Sequence, residues 1–320
     1  MRCVRALVCL ATTTNSFTYA KSKIMITGLY ILIGIVILYL LCTLFLTYLV
    51  QQLPRNSVQD EPDWGRIIDT KIPAIDGGLL EVWRIEPDMP SRGTVIFAHG
   101  WGRNRDRMVS RARIFSNWGF TAVIHSARDH GGSSPRRFMH AARFAEDIES
   151  VLGWVNEPVA LYGHSAGAGG AIIAAARNQD RIKLLFLEAC YAHTEEALLS
   201  LYKWFNPWIG MLFGPMIIFW LNLFYGNKLE TVSPARLAPS LKMPVMLVHG
   251  EKDRRFPLAF ALALKESFLP GQVDLYIAKG VGHSESSRTP GYGDAVNSFL
   301  ENNWQEDEMA GPQVEVPNHD

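Results

Sequence analysis

The sequence predicts an α/β fold, in which a mostly parallel sheet carries helices on both faces. Short apolar segments with the length of buried strands lie at residues 94–98, 159–162, 183–187, 244–250 and 273–278. Polar or glycine-bearing loops follow them, and stretches of helical pattern separate several of them, which is typical of parallel sheets. With 320 residues and 48% hydrophobic content, the chain is long and apolar enough to form one domain with a sizeable buried core.

The sequence Gly-His-Ser-Ala-Gly at residues 163–167 lies between an apolar strand and a small-residue helix at 168–176. A serine at a tight strand-to-helix turn is held exposed, and the flanking glycines let strand and helix approach closely. The helix N-terminus also favours negative charge near the hydroxyl. This context predicts that Ser165 is a nucleophile.

Two loops further along the chain supply an acid and a base. Asp253 follows the strand at 244–250, and His283 lies in a glycine-bearing loop just after the strand at 273–278. A serine nucleophile needs a base to take its proton and a carboxylate to orient that base. The order serine, acid, histidine therefore predicts a Ser165-Asp253-His283 triad.

A fourth strand supplies a site for the developing oxyanion. The strand at 94–98 ends in His-Gly-Trp-Gly at residues 99–102. A tetrahedral intermediate needs two N–H donors about 3 Å from its oxyanion. We expect the backbone N–H groups of Trp101 and Ala166 to be these donors.

These motifs together resemble the α/β-hydrolase superfamily, near its serine-aminopeptidase-like and monoacylglycerol-lipase-like branch. The matching segments are residues 99–102, 163–167, 250–253 and 282–283, and the resemblance covers about residues 67–304. It favours Asp253 over the neighbouring Glu251 as the triad acid, because Asp253 has the family's spacing from Gly250. The loop at 126–134 departs from the family's Arg-Gly-x-Gly-x-Ser pattern, with Asp129 where a glycine is usual. The resemblance implies fold and mechanism, while the fold hosts many chemistries.

The other histidines indicate no metal site, because no pair has the spacing of a metal-binding helix or hairpin. His99 and His164 adjoin the functional turns and are expected to brace them, and His125 and His249 end buried strands as structural residues. His130 is a candidate for lining the pocket. No cofactor or metal is expected.

Nothing in the charge pattern favours a nucleic-acid partner. Lys and Arg number 31 and balance 31 Asp and Glu. The arginines between 103 and 113 are expected on the outer face of a helix, and Asp147 and Glu149 on the solvated face of another. The glycine-rich stretch at 163–170 lacks the lysine of a phosphate-binding loop.

Residues 24–50 form an apolar run without a charge. As a helix it would be about 40 Å long, against a hydrocarbon core about 30 Å thick. The apolar core of a cleaved signal peptide would be only about 7–15 residues. We expect a single membrane-spanning anchor, followed by a linker at 51–65 and the hydrolase domain at 66–304.

The orientation of the anchor stays open. Basic residues before the run favour an N-terminus inside and a domain outside. Residues 1–23, however, are a leader of uncertain status, and a start at Met25 would remove that bias. The prediction is therefore a membrane location with the side of the domain undetermined.

A second apolar region, residues 204–227, also carries no charge and is rich in aromatic residues. A second membrane span there would separate Ser165 from Asp253 and His283, and Pro207, Gly214 and Pro215 interrupt it. We expect residues 190–240 to form an apolar cap that contacts the bilayer surface; aromatic packing on the domain core is the alternative.

The interpretation that follows is a membrane-anchored serine hydrolase that cleaves an ester with an apolar acyl group. Its expected partners are a small-molecule or lipid-like ester and the bilayer; the oligomeric state is undetermined. A peptidase, a thioesterase or a non-catalytic membrane-tethered interaction module are alternatives. Cys190 lies alone in the domain, so no internal disulfide is expected there. Residues 305–320 have the composition of a disordered acidic tail.

Overall fold

The computed structural model describes residues 2–52 and 55–304, with side chains from residue 21 onward. The strands are β1 (Arg66–Pro73), β2 (Leu79–Glu86), β3 (Gly93–Ala98), β4 (Phe120–His125), β5 (Val159–His164), β6 (Ile182–Glu188), β7 (Val245–Gly250) and β8 (Val273–Ala278). They form one sheet in the order β1-β2-β4-β3-β5-β6-β7-β8. The pairs β1–β2 and β2–β4 are antiparallel and the others parallel. The predicted acidic tail lies outside the described residues.

Helices connect most of the parallel strands. They are α1 (Arg2–Leu49), α2 (Val109–Asn117), α3 (Ala141–Val155), α4 (Ala166–Arg177), α5 (Thr194–Phe205), α6 (Pro207–Leu212), α7 (Gly214–Phe224), α8 (Pro234–Leu237), α9 (Leu258–Glu266) and α10 (Tyr292–Asn303). Single 3-10 turns lie at Arg105–Met108, Gln179–Arg181, Glu230–Val232, Ala238–Ser240 and Ser286–Arg288.

Each face of the sheet buries its own hydrophobic core. In β3, Ile96 and Ala98 belong to the core shared with α3 and α4. Val95 and Phe97 alternate with them and belong to the core shared with α2 and α10. Because successive side chains point to opposite faces, strands buried on both sides must be apolar throughout. The α/β prediction, with helices on both faces, is confirmed.

Two charge assignments from the sequence were wrong, the first on α3. Asp147 was expected in solvent, but it is 0% exposed. Its carboxylate accepts hydrogen bonds from Arg128 N at 2.7 Å and Arg128 Nε at 2.5 Å. The loop after β4 carries this arginine into the interior, where a buried cation requires a carboxylate. Glu149, by contrast, pairs near the surface with Arg177 at 3.2 Å.

The second wrong assignment concerns the arginines before and within α2. Arg105 and Arg111 are only 7% and 2% exposed rather than on an outer face. The guanidinium of Arg105 lies 3.8 Å from the ring centre of Trp83 and binds Asp69 at 2.7 Å. Arg111 pairs with Glu188 at the end of β6. Each buried guanidinium therefore has a carboxylate that the local sequence does not reveal.

The region expected to be a cap leaves the sheet after β6 and consists of α5, α6 and α7. Its helices end and begin at the predicted breaks, with Pro207 opening α6 and Pro215 at the start of α7. The longest apolar helix within it, α7, has 11 residues, too few to cross a bilayer. Ala235 N donates to Ala192 O at 2.9 Å, which closes the neck of the excursion.

The first helix, α1, runs from Arg2 through Leu49 and so begins well before the predicted start at residue 24. Within the described chain, Lys21–Leu49 is the one helix long and apolar enough to cross a membrane, although an N-terminal signal sequence also meets that criterion. The linker lies on the domain, where Asn56 Nδ2 donates to Gly102 O at 3.0 Å.

Candidate active site

Ser165 occupies the sharp turn between β5 and α4. Its backbone has φ 55° and ψ −117°, a strained conformation that non-glycine residues rarely adopt. The flanking glycines make this turn possible. A Cβ at Gly163 would lie 2.5 Å from the carbonyl oxygen of Gly167, and one at Gly167 would overlap the carbonyl oxygens of Ala98 and His99. The pentapeptide therefore lets α4 cross against β3 and β5 while the hydroxyl stays at the helix N-terminus.

The structure brings Ser165, His283 and Asp253 into one hydrogen-bonded line. His283 Nε2 lies 2.9 Å from Ser165 Oγ, and His283 Nδ1 lies 2.7 Å from Asp253 Oδ2. The three side chains come from loops at the carboxyl ends of β5, β7 and β8, which meet at one edge of the sheet. The competing acid Glu251 points elsewhere and accepts a hydrogen bond from Gly280 N at 2.8 Å.

Asp253 is held as a carboxylate. Burial raises its pKa, but the hydrogen bond and charge of His283, with a backbone donor, outweigh burial and lower it below the usual value. Its Oδ1 accepts from Arg255 N at 2.8 Å and Phe256 N at 3.0 Å. An ionised Asp253 favours the His283 tautomer with its proton on Nδ1. That tautomer leaves Nε2 free to accept the proton of Ser165.

Two backbone N–H groups near Ser165, those predicted to bind an oxyanion, make no hydrogen bond within the described part of the chain. They belong to Trp101 and Ala166. The next amide, Gly102 N, instead donates to His130 Nε2 at 3.1 Å. Two free donors beside the serine are what a tetrahedral intermediate needs.

The histidines near these turns are neutral braces. His99 donates from Nδ1 to Gly100 O at 2.8 Å and accepts at Nε2 from Ala127 N at 2.9 Å. Burial is the largest cause that lowers its pKa well below the usual value. His130 donates from Nδ1 to Arg128 O at 2.9 Å and is buried, so it supports the oxyanion loop rather than lining an open pocket.

A buried polar cluster behind the triad was not predicted. Glu188, at the end of β6, binds Arg111 Nη2 at 2.7 Å and accepts from the hydroxyl of Tyr162 at 2.8 Å. Burial alone would raise the pKa of Glu188, but the charge of Arg111 lowers it to about 2. Arg111 Nη2 also donates to Ser284 O at 3.2 Å, directly after the triad histidine.

A second brace holds the same histidine loop. The ring of His164 shares a hydrogen bond of 3.1 Å with the carbonyl oxygen of His283. Burial lowers the pKa of His164 to about 3, so the ring is neutral and donates from Nε2. The sequence held one signal of this region: Glu188 directly follows the apolar run at 184–187, and a buried carboxylate at that position needs a cation to balance it.

The cap reaches the triad through an aromatic contact. Tyr191, Ala197, Phe256 and Phe260 form one apolar cluster with Leu201 of α5. The ring of Phe256 lies edge-on to His283, with centroids 5.1 Å apart. Phe256, in the loop after β7, therefore connects the start of the cap to His283 through aromatic contacts.

Known proteins resemble this chain in both sequence and structure. The family model described as serine aminopeptidase, S33, matches residues 89–227. The uncharacterized protein YqkD of Bacillus subtilis is 24% identical, over 72% of this chain and 78% of its own length. A monoacylglycerol lipase of Mycolicibacterium smegmatis is 23% identical, over 64% of this chain and 85% of its own.

Among solved structures, the Pyrococcus furiosus esterase Pf2001 superposes with a TM-score of 0.63 at 18% identity, covering 79% of this chain and all of that one. The two proteins therefore share a fold although few of their residues are identical. The sheet order, the serine turn after β5, the family match and these relatives agree. This chain has the α/β-hydrolase fold, and its residues 89–227 match the serine aminopeptidase S33 family model.

Proposed function

We propose that this chain is a membrane-anchored serine hydrolase that cleaves a carboxylic ester with an apolar acyl group. The observation that carries the proposal is the hydrogen-bonded line from Ser165 Oγ through His283 to Asp253, at 2.9 Å and 2.7 Å. A serine aligned with an imidazole and a buried carboxylate is the arrangement that activates a hydroxyl. The similar monoacylglycerol lipase supports an ester as the substrate.

In the acylation half-reaction, Ser165 Oγ attacks the ester carbonyl carbon while its proton moves to His283 Nε2. The carbonyl oxygen becomes an oxyanion that the Trp101 and Ala166 N–H groups receive. Asp253 stabilises the imidazolium that forms. The carbon–oxygen bond to the alcohol then breaks, and His283 gives its proton to the departing alkoxide, leaving an acyl-serine.

In the deacylation half-reaction, water takes the place of the alcohol. His283 Nε2 removes a proton from water as its oxygen attacks the acyl carbon, and the second oxyanion occupies the same two donors. Collapse of the intermediate breaks the bond to Ser165 Oγ, which recovers its proton from His283. The products are a carboxylic acid and the unchanged enzyme.

The experiment is fluorophosphonate labelling of the full-length protein in detergent, beside Ser165→Ala and His283→Ala. Ser267→Ala is the matched control, because that exposed hydroxyl only donates to Ala263 O at 2.9 Å. We expect labelling of wild type and Ser267→Ala, and its loss in both other variants. A folded wild type that fails to react would contradict the proposal and favour a non-catalytic interaction module.

A substrate panel distinguishes the enzymes that share this chemistry. Short and long p-nitrophenyl esters, an acyl thioester and an aminoacyl amide are compared at matched concentrations. We expect the long ester to have the highest kcat/KM, because Phe256 contacts His283 and belongs to one apolar cluster with Tyr191, Ala197 and Leu201. Preference for the aminoacyl amide would instead support a peptidase, and preference for the thioester a thioesterase.

A further inference from the structure

The cap does not stand apart from the N-terminal helix; α7 packs against the end of α1. The hydroxyl of Tyr39 donates to Leu212 O at 2.8 Å, and its ring stacks on Phe213 with centroids 5.7 Å apart. Trp220 Nε1 donates to Thr43 Oγ1 at 3.0 Å. These contacts attach the cap to one side of the apolar helix, one turn after another.

Apolar packing continues this contact toward the domain. Leu46 of α1 and Val50, directly after it, pack on a cluster formed by Ile217 and Leu221 of α7 with Leu229. Leu198 and Tyr202 of α5 join the same cluster. The N-terminal helix and the cap thus share one apolar cluster.

The contacts fix the depth of the cap relative to the anchor. They run from Tyr39 of α1 to Val50, directly after it, about 17 Å at about 1.5 Å per residue. One leaflet contributes about 15 Å to the hydrocarbon core. If α1 crosses the bilayer, α7 therefore lies beside the half of the span nearest the domain, at the level of that leaflet.

The side of the cap that faces away from the protein is suited to this depth. Trp208 and Phe205 are 80% and 78% exposed. The other large exposed apolar side chains of the cap are Trp204, Ile209, Met211, Leu212, Phe219, Leu223 and Phe224. Lys203 and Lys228 are the charges that bracket this uncharged stretch of chain. An exposed apolar surface of this kind fits the acyl chains of a bilayer, and basic residues that flank such a stretch fit its headgroups.

The linker places the mouth of the site close to the same leaflet. Asn56 lies six positions after Val50, the residue that follows α1, and its side-chain Nδ2 donates to Gly102 O at 3.0 Å. Six residues span at most about 22 Å. Asn56, which holds the loop at residues 99–102, therefore lies within that distance of the domain end of α1.

We propose that α6 and α7 are embedded in the leaflet nearest the domain, and that substrate reaches Ser165 laterally from that leaflet. The proposal rests on the proposed function and names its substrate class: an amphiphilic ester whose acyl chain stays among lipid chains while its carbonyl rises to the serine. The occupant of the exposed cap face is the acyl region of the bilayer in which α1 is inserted.

The test uses the full-length protein in phosphatidylcholine nanodiscs, with Trp208→Lys as the variant. We expect at least a tenfold loss of kcat/KM on a long-chain monoacylglycerol dissolved in the bilayer, and a change under twofold on a soluble short ester. Leu269→Lys is the matched control, because Leu269 is an exposed leucine in the loop before β8, at the opposite end of the sheet from Ser165. It should leave both activities unchanged.

A second measurement reports the position of the cap without activity. Phosphatidylcholine with brominated acyl chains quenches tryptophan within the hydrocarbon region, and the contribution of Trp208 is the difference between wild type and Trp208→Phe. We expect strong quenching of Trp208, and none of Trp118, measured in the same way with Trp118→Phe.

The outcomes separate this inference from the proposed function. Release of the protein by carbonate, or absence of soluble-ester activity, would refute the anchor or the chemistry. A protein that is retained and active, but with Trp208 unquenched or with equal losses on both substrates, would overturn the embedded cap. Cross-linking of two copies through the Trp208 face would assign that face to a second copy and would also overturn it.

Discussion

The buried pair of Arg111 and Glu188 gives the sharpest test of the structure. Glu188→Gln keeps the shape of the side chain and an acceptor for Tyr162, but it removes the negative charge beside a guanidinium that is almost wholly buried. Breaking a buried pair on one side costs about 3–5 kcal/mol, because the remaining charge is uncompensated. We expect Glu188→Gln to lose that much free energy of unfolding.

The size of this loss makes it measurable. Domains of this length are stable by about 5–15 kcal/mol, and each kcal/mol shifts Tm by about 2–4 °C. The variant should therefore melt about 10 °C below wild type in detergent, followed by near-ultraviolet circular dichroism. Glu149→Gln is the matched control, since its partner Arg177 is nearly half exposed and such surface pairs contribute under about 1 kcal/mol.

The double variant Arg111→Met with Glu188→Gln separates stability from catalysis. Removing both charges should restore most of the lost stability, because no uncompensated ion remains. Activity should stay reduced by up to about tenfold, since Ser284 O loses a donor worth about 1 kcal/mol that holds the histidine loop. Two results would refute this reasoning: a free energy of unfolding of Glu188→Gln within about 1 kcal/mol of wild type, or a double variant as unstable as Glu188→Gln alone.

Three further predictions concern the site and its frame. Asp253→Asn should lower kcat on a soluble ester about 10⁴-fold with Tm nearly unchanged, because an amide no longer favours the His283 tautomer that carries its proton on Nδ1. A loss of kcat under tenfold would contradict this prediction. Gly163→Ala should cost at least about 1–3 kcal/mol in thermal denaturation, because its Cβ would lie 2.6 Å from Ala168 Cα. Burial holds the pKa of His125 at about 4 and of His164 at about 3, whereas both rise to about 6.5 on unfolding. As the pH falls, the unfolded chain therefore binds protons before the folded one does. The contribution of these two histidines to the free energy of unfolding is complete above pH 6.5 and falls by about 2 kcal/mol per histidine at pH 5. An unchanged Tm between pH 8 and pH 5 would count against this prediction.

The fold and the aligned residues could be predicted because their signals are local. Each of Ser165, Asp253 and His283 follows an apolar strand, and parallel strands end at one edge, so order along the chain implied proximity. The glycines around Ser165 mark the turn directly. The roles assigned to these residues and to Trp101 and Ala166 stay predictions until activity is measured.

The buried charges and the packing of α1 could not be predicted, because they depend on partners far away in the chain. Arg111 and Glu188 are 77 residues apart, and Arg128 and Asp147 are 19 apart. Arginines and acids at such positions look solvent-exposed in any short window of sequence. An apolar run likewise does not reveal whether a side chain such as Trp220 faces lipid or a neighbouring helix.

The closed neck of the cap has a consequence for how this enzyme could change. Ala235 N bonds Ala192 O at 2.9 Å, and Thr194 N bonds Ser233 Oγ at 2.9 Å, so the excursion leaves and rejoins the domain at nearly one point. The segment between Thr194 and Ser233 can therefore be lengthened, shortened or replaced while β6 and β7 keep their register. The cap, which we propose contacts the substrate, and the loops that carry Ser165, Asp253 and His283 are then separate segments of the chain. The sequence of the cap can diverge while the sequence of these loops is preserved.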